Sequence, residues 1–243
     1  MNIEVLADSG SVAEKAASII AEAAWDAISA RGIFTLAVSG GHTPWIMFRW
    51  LAAAHLPWRA VQVFQVDERV APEGHPDRNL THLRESLLVD SALPSDQFYA
   101  MPVESADLEA AAACYAKTLR EVAGERPGEV PVIDLVHLGL GPDGHTASLV
   151  PGDPVLDIEK ADVGLSGPYQ GRRRMTLTYP ILNRSRRILW VVTGGEKAAM
   201  VNRLLDGDHG IPAGRVRSDR AMLLADCAAA GRGAGKTGAP VCA

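Results

Sequence analysis

Residues 134–151 have the sequence DLVHLGLGPDGHTASLVP, which changes abruptly from an apolar run to a glycine-rich polar loop. Its first half is apolar apart from Asp134 and His137, a composition typical of a buried strand in a parallel sheet. Glycines and a proline then force a tight loop that contains an acid, Asp143, and a base, His145. A strand that ends in such a loop predicts chemistry at the carboxyl edge of a parallel sheet.

The rest of the chain alternates strands with helices. Apolar runs predict strands at about 3–6, 33–38, 61–66, 98–101, 133–140, 174–178, 188–193 and 222–225. Apolar residues at helical spacing predict helices at about 11–31, 44–54, 79–88, 108–122 and 197–205, with a short helical turn at 146–149. Residues 151–173 are rich in glycine, proline and aspartate and are predicted to be irregular.

This alternation predicts an α/β fold. We expect a single doubly wound domain over residues 1–229, with a mainly parallel sheet flanked by helices, as in a modified Rossmann-like fold. Residues 230–243 are rich in alanine and glycine and lack apolar periodicity. A disordered C-terminal tail is therefore predicted there.

Short-range signals predict how the first two helices begin. Ser11 and Glu14 have the spacing of a capping box at the start of the first helix, and Gly32 is placed to end that helix. Thr43 is predicted to cap the second helix, with Pro44 in its first turn.

Composition and charge argue against several classes of function. The 243 residues carry a formal net charge of −5 with both signs spread along the chain, which argues against a nucleic-acid surface. The first residues lack a basic and apolar leader, and no apolar run approaches the ~18 residues of a membrane span. We therefore expect a soluble, cytoplasmic protein that binds neither nucleic acid nor membrane.

Four of the predicted strands run into polar loops. These loops are Ser39–Thr43, Asp67–Arg69, Gly141–Thr146 and Thr193–Lys197. Parallel strands joined by right-handed crossovers present their carboxyl ends at one edge of the sheet. The four loops are therefore predicted to lie near one another.

Two of these loops have the composition of an anion site. Ser39, Gly40 and Gly41 separate a strand from a helix N-terminus, where glycine lets backbone N–H groups approach a phosphate. A second glycine pair precedes Lys197, and Arg69 offers two parallel donors. Glycine at such turns also serves turn geometry alone. Two such loops beside two cations nevertheless favour a phosphorylated small molecule as the ligand.

The loop at 139–144 matches G-x-G-x-x-G, yet no dinucleotide site is predicted there. Pro151 and Pro154 leave no length for the helix that would hold a pyrophosphate, and Asp143 would repel one. The chain also lacks an HExxH motif, a cysteine cluster and a G-x-S-x-G elbow. We therefore predict no metal, no cofactor and no covalent serine mechanism.

His145 is the candidate base. A lone histidine in a loop is often structural, but this one follows Asp143 by two residues at the end of a strand. An imidazole there can take a proton from water near neutral pH. Arg174 begins a later strand and could contact an anionic substrate, although an arginine run is also typical of a solvated face.

Five motifs follow one another along the chain. They are SGGHTP at 39–44, VDERVAPEGHPDRN at 66–79, LGLGPDGHTASLVP at 138–151, RMTLTYPILN at 174–183 and TGGEKA at 193–198. In this order they resemble the 6-phosphogluconolactonases of the pentose phosphate pathway. The related glucosamine-6-phosphate deaminases share the SGG, DE and DGH elements, so GPDGHTASLxP is the most specific part of the resemblance.

The resemblance implies a nucleotide-free α/β enzyme that hydrolyses 6-phospho-D-glucono-1,5-lactone to 6-phosphogluconate. It implies that His145 is the general base for water and that Asp143 and Asp67 orient it or the sugar. The residues that it implies for phosphate or substrate binding are Ser39, Gly40, Gly41, Thr43, Arg69, Arg174 and Lys197. A phosphorylated sugar lactone is the expected partner, with no cofactor, and a monomer or weak homodimer is the expected assembly.

Two positions depart from the pattern of the family. Arg78 stands where many relatives have a serine before the asparagine, and His42 occupies a variable loop position. Neither affects the implied reaction, but both leave the contacts to substrate hydroxyls open.

Two alternatives to the lactonase stay open at this point. One is a non-catalytic sugar-phosphate sensor, disfavoured because the first 32 residues predict one long helix and no helix–turn–helix pair. The other is an amino-sugar-phosphate deaminase on the same scaffold. That family has a glutamate five residues after the loop histidine, where this chain has Val150, and the next acid, Asp153, lies beyond Pro151.

Overall fold

Strands and helices alternate along the chain in the computed structural model, which describes residues 1–124 and 129–231. The strands are β1 (Asn2–Leu6), β2 (Phe34–Val38), β3 (Val61–Gln65), β4 (Asp67–Arg69), β5 (Phe98–Tyr99), β6 (Leu135–Leu138), β7 (Val163–Tyr169), β8 (Arg172–Leu177), β9 (Arg187–Val192) and β10 (Ala221–Asp226). The helices are α1 (Ser9–Arg31), α2 (His42–Ala52), α3 (Asn79–Leu83), α4 (Leu108–Ala123), α5 (Tyr179–Arg184) and α6 (Ala198–Leu205).

The main sheet contains seven of the strands in the described ranges, in the order β1–β10–β9–β6–β2–β3–β5, and they pair in parallel. β6 lies at the centre, and both β6 and β2 are buried throughout. Such strands are continuously apolar because both faces of the sheet are covered. α1, α2 and α3 contribute to the core on one face, and α4, α5 and α6 to the core on the other. The predicted doubly wound, mainly parallel α/β fold is confirmed.

A second, smaller sheet corrects the prediction for residues 151–173. β7 lies in that range and forms an antiparallel hairpin with β8, which also pairs with β4. The prediction of irregular structure is wrong because β7 contains Gly164, Gly167 and Pro168, residues that weaken a strand signal. α5 is also missing from the prediction, since its six residues are too few to show a helical period.

The helix ends differ from the predicted caps at two positions. The carboxylate of Asp8, rather than Ser11, caps α1 and accepts a hydrogen bond from the Ser11 N–H at 2.8 Å. α2 begins after Gly41, and Thr43 lies inside its first turn. The predicted capping roles of Ser11 and Thr43 are therefore wrong. Gly32 ends α1 in the left-handed conformation, as expected for a glycine at that position.

The described chain ends in a turn after β10. The N–H of Ala230 donates to the carbonyl of Asp226, and the N–H of Gly231 donates to the carbonyl of Ala228. Residues 232–243 of the predicted tail lie outside the described residues. None of the helices within the described ranges is long and apolar enough to cross a membrane.

His137 joins two central strands inside the core. It is fully buried in β6, and its Nδ1 accepts a hydrogen bond from the N–H of Ser39 at 3.2 Å. The Ser39 hydroxyl donates to the His137 carbonyl at 3.1 Å. Burial lowers the pKa of His137 to about 3, so the imidazole is neutral in the folded protein. This neutral ring fixes the end of β2, where the first glycine loop begins.

His137 should make the folded state sensitive to acid. The unfolded chain binds a proton near the ordinary histidine pKa of ~6.5, whereas the native ring does not, so stability falls as pH decreases below that value. The expected contribution is about 1.4 kcal/mol per pH unit. His137→Asn keeps an acceptor for the Ser39 N–H but cannot titrate. Urea unfolding between pH 7 and pH 4.5 should therefore show a smaller loss of stability in the variant, and equal slopes would contradict this role.

Candidate active site

The loop after β6 is held in a closed turn by its own backbone. The N–H of Gly141 donates to the carbonyl of His145 at 2.8 Å, and the Thr146 hydroxyl donates to the carbonyl of Gly139 at 2.8 Å. The predicted helical turn at 146–149 is absent from this described segment. Ala147 has a left-handed φ of 51°, which interrupts a helix, and its neighbours form an isolated antiparallel bridge instead.

Asp143 and His145 form the acid–base pair that the sequence predicts. Oδ1 of Asp143 lies 2.5 Å from Nδ1 of His145 and also accepts the backbone N–H of His145. Oδ2 accepts a hydrogen bond from the hydroxyl of Tyr169 at 2.9 Å. Partial burial raises the pKa of Asp143, but the hydrogen bonds from His145 and Tyr169 outweigh this and hold the pKa below its usual value. An ionised Asp143 favours the tautomer with the proton on Nδ1, which leaves the lone pair on Nε2.

Gly141 makes room for this pair. A Cβ at Gly141 would lie 2.0 Å from Nδ1 of His145 and 2.8 Å from Oδ1 of Asp143. Neither distance is compatible with a side chain, so the histidine ring lies directly against the loop backbone. Gly141, which the sequence predicts as a turn residue, thus also determines where the imidazole of His145 lies.

Asp67 lies at the start of β4 and is buried. Its Oδ2 accepts a hydrogen bond from the Ser148 hydroxyl at 2.6 Å, and its Oδ1 accepts one from Nδ2 of Asn79 at 3.3 Å. Ser148 belongs to the same loop as His145. The first contact therefore fixes the Asp67 carboxylate relative to the loop that carries His145, and the second fixes it relative to the start of α3.

Arg69, Arg174 and Lys197 form a cationic wall. Within residues 1–124 and 129–231, none of the three makes an ion pair with a carboxylate, although Arg69 donates to Oδ1 of Asn79 at 2.5 Å. Burial and then the charge of Arg69 lower the pKa of Arg174. Arginine remains charged despite such a shift. The wall therefore carries positive charge that no described carboxylate neutralises in a direct ion pair.

The first glycine loop packs closely against Asn79, the hydrogen-bond partner of Arg69. A Cβ at Gly40 would lie 2.0 Å from Oδ1 of Asn79, the atom that accepts the hydrogen bond from Arg69. Gly41 has a φ of 131°, is the N-cap of α2 and lines the same pocket as Arg69, so α2 begins beside that pocket. An anion here would be favoured by the helix dipole.

Ser39 and Thr43 have internal partners. Both the N–H and the hydroxyl of Ser39 bond to His137. The hydroxyl of Thr43 lies 2.7 Å from the hydroxyl of Thr193, in an adjoining cleft next to the pocket that contains His145. Direct contacts from these two residues to a ligand stay predictions.

These loops meet around one pocket of about 310 Å³. Its lining residues are Ser39, Gly40, Gly41, Asp67, Arg69, Asn79, Gly139, Leu140, Gly141, Pro142, His145, Ala147, Gln170, Arg174 and Lys197. Asp143 contacts the ring of His145 from outside this lining. In the described part of the chain, no group of three or more His, Cys, Asp or Glu side chains is arranged to hold a metal ion.

Three polar residues of the site were not identified from the sequence. Asn79 ends the VDERVAPEGHPDRN motif, and its position after a polar loop at a helix start is a signal that could have identified it. Tyr169 and Gln170 lie in the segment that the sequence presents as irregular. No sequence signal places Gln170 at the pocket or Tyr169 against Asp143 and His145, because the hairpin that carries them is not evident.

The fold and the site together define a class of protein. It is a doubly wound α/β protein in which the strand ends place an acid–base pair and a cationic wall around one pocket. The chain belongs to the family described as glucosamine-6-phosphate isomerases/6-phosphogluconolactonase, which it matches over residues 7–224.

Individual relatives agree with this assignment. The chain is 35% identical over 195 residues to the 6-phosphogluconolactonase of Nostoc sp., covering 80% of this chain and 81% of that one. It is 33% identical over 243 residues to the 6-phosphogluconolactonase of Mycobacterium tuberculosis, covering 95% and 98%. The structure of 6-phosphogluconolactonase from Trypanosoma brucei matches with a TM-score of 0.83 and 29% identity, over 96% of this chain and 98% of that one. The resemblance noted from the motifs is confirmed.

Adding a methyl group at Gly141 should displace His145. We expect Gly141→Ala to lower the free energy of unfolding by about 1–3 kcal/mol, the usual cost of overpacking. It should also shift the ring signals of His145 in two-dimensional NMR spectra. Gly195→Ala is the control, because a Cβ there meets its nearest atoms only at 4.0 Å. Equal stability of the two variants, with unchanged His145 signals, would contradict the close packing of the ring on Gly141.

Proposed function

We propose that the protein hydrolyses 6-phospho-D-glucono-1,5-lactone to 6-phospho-D-gluconate in the oxidative pentose phosphate pathway. One observation carries the proposal. His145 lines the same pocket as three cations that have no carboxylate in an ion pair among the described residues. The base suits attack of water on a lactone, and the cations suit a phosphate. The names of the curated relatives support the same activity.

Nε2 of His145 is the proposed general base. It removes a proton from water while the water oxygen attacks the carbonyl carbon C1, and the carboxylate of Asp143 stabilises the imidazolium that forms. The tetrahedral intermediate then breaks the bond between C1 and the ring oxygen. His145 returns the proton to that oxygen, which becomes the 5-hydroxyl group. One water is consumed and one carboxylic acid is formed, without a redox change or a cofactor.

The Asp67 carboxylate is proposed to orient the sugar. It lines the pocket, and hydrogen bonds from Ser148 and Asn79 hold it in one position. A carboxylate held in this way can accept hydrogen bonds from substrate hydroxyls without reorganising, which favours a fixed orientation of the lactone carbonyl.

The phosphate is proposed to bind the cationic wall of Arg69, Arg174 and Lys197. Backbone N–H groups at Gly40 and Gly41, at the start of α2, complete the anion site. The phosphate on C6 is separated from C1 by the ring oxygen, C5 and C6, and takes no part in the bond changes. Its binding energy therefore anchors the lactone and positions the carbonyl for the water that His145 activates.

The surroundings of His145 favour the lactonase over the deaminase. Val150 is buried and cannot relay a proton. The carboxylate of Asp153 accepts the N–H of Val155 at 2.9 Å through Oδ1 and the N–H of Gly167 at 2.8 Å through Oδ2. Both oxygens of the nearest downstream acid thus have structural partners. Ring opening of an amino sugar needs a further acid beside the histidine, whereas hydrolysis of a lactone needs only the Asp143–His145 pair.

The proposed setting is the cytoplasm, with the protein as a monomer or weak homodimer and without a nucleic-acid partner. A net charge of −5, spread over both signs, supports the last point. Sedimentation velocity at micromolar concentration measures the assembly state, and a stable higher oligomer would contradict this part of the proposal.

The central experiment compares two substrates on one preparation. The protein should release acid from fresh 6-phosphogluconolactone and should release no ammonia from glucosamine 6-phosphate. His145→Ala, purified in parallel, should lower kcat by about 10²–10⁴-fold, the usual effect of removing a general base. That variant also corrects for spontaneous hydrolysis of the lactone. Ammonia release at a comparable kcat/KM would overturn the assignment.

The cationic wall should matter only for the phosphorylated substrate. Arg69→Ala and Lys197→Ala should each lower kcat/KM for 6-phosphogluconolactone by about 10–100-fold, because each removes a charge-assisted contact of about 1.5–3 kcal/mol. Their rates with unphosphorylated gluconolactone should match those of the unmodified protein. Lys160→Ala removes an exposed charge outside the pocket and is the control. Equal losses on both substrates would mean that the two cations do not bind the phosphate.

A further inference from the structure

The β7–β8 hairpin reaches the active site through a two-residue turn, and Gln170 of that turn lines the pocket. Tyr169 pairs with Arg172, so the turn consists of only Gln170 and Gly171. Both turn residues have left-handed backbone angles, with φ of 53° and 79°. This is the turn that best fits the twist of a hairpin, but it is strained for a residue with a side chain such as Gln170. The tight turn fixes the direction of the residue before it, Tyr169.

Tyr169 contacts the acid, the base and one cation of the site. Its hydroxyl donates to Oδ2 of Asp143 at 2.9 Å and lies 3.4 Å from Nδ1 of His145. Its ring packs edge-on against the imidazole, with 5.1 Å between the ring centroids. On the same ring, the guanidinium of Arg174 lies 5.0 Å from the centroid, a cation–π distance.

The Asp143 carboxylate needs a second partner to stay in place. Its side chain is about one-third exposed and lies on a glycine-rich loop, and Oδ1 alone bonds to the imidazole. With Oδ2 open to water, the carboxylate could rotate about its terminal bond and release Nδ1. The hydroxyl of Tyr169 occupies Oδ2 and opposes this rotation. Such outer hydrogen bonds commonly fix the tautomer and ring orientation of a functional histidine.

We propose that Tyr169 is a positioning residue for the hydrolysis. Its hydroxyl holds the carboxylate of Asp143 in one orientation, so that His145 keeps its proton on Nδ1 and its lone pair on Nε2. Its ring holds the guanidinium of Arg174 in position. The inference rests on the proposed function, because it concerns how Asp143 and His145 are held in position for the proposed hydrolysis. The hydroxyl acts on the reacting histidine, whereas the ring acts on the binding of the substrate.

Two substitutions separate these roles. Tyr169→Phe removes the hydroxyl and keeps the ring, so kcat should fall about tenfold while KM stays the same, the effect expected for losing a hydrogen bond to a charged group. Tyr169→Leu removes the aromatic face as well, so KM for the phosphorylated lactone should also rise. Tyr99→Phe is the matched control, because the Tyr99 hydroxyl bonds to Gln62 at the far edge of the main sheet. Its kinetic constants should not change.

The tautomer of His145 gives a test that does not depend on turnover. In protein labelled with ¹⁵N-histidine, the ring nitrogens should report a proton on Nδ1, and Tyr169→Phe should increase the population protonated on Nε2. Unchanged ring signals together with an unchanged kcat would overturn the proposal, as would a loss of melting temperature that leaves the tautomer intact. If no form of the protein hydrolyses the lactone, the proposed function fails, and the ring signals still decide whether Tyr169 controls His145.

Discussion

The buried carboxylate of Glu68 is the contact on which the geometry of the site depends. Oε1 accepts the N–H groups of Arg69 and Asn79, each at 2.8 Å, and Oε2 accepts the N–H of Leu80 at 2.8 Å. The guanidinium of Arg78 balances its charge at 3.2 Å. One fully buried side chain therefore joins β4 to the start of α3 across the loop between them. Removing one partner of such a buried pair is strongly destabilising, because the other charge is left without compensation.

Asn79 connects the buried Glu68 to the residues of the pocket. Held by Glu68, it donates to the carbonyl and carboxylate of Asp67 through Nδ2 and accepts from Arg69 through Oδ1. The same oxygen leaves no space for a Cβ at Gly40. An acid, a cation and a glycine loop from separate parts of the chain are therefore positioned by one amide. Arg78 departs from the family pattern, and its structural role is the ion pair with Glu68.

The sequence predicts the parts of this structure whose signal is local. Strands of the main sheet are evident because both of their faces are buried, so their residues are continuously apolar. His145 and Asp143 are evident because they interrupt such a run in a glycine-rich loop. The second sheet is not evident, because β7 is broken by glycine and proline and its partners β8 and β4 are set by long-range pairing. The sequence therefore does not predict a role for Tyr169, although this residue contacts both Asp143 and His145.

The second sheet also explains why two arginines of the cationic wall lie side by side. Arg69 and Arg174 are direct partners across the antiparallel β4–β8 pair, so their side chains lie on the same face. Like charges directly opposite one another destabilise a sheet. The charges of Asp67 and Glu68 act on Arg174 against this repulsion. The ring of Tyr169 and the amides of Asn79 and Gln170 moderate it further, but among the described residues neither arginine has a carboxylate in a direct ion pair. A phosphate dianion between the two guanidinium groups would neutralise their charge. Binding of the phosphate would relieve the repulsion between the two arginines, and this relief would favour binding of the substrate that we propose.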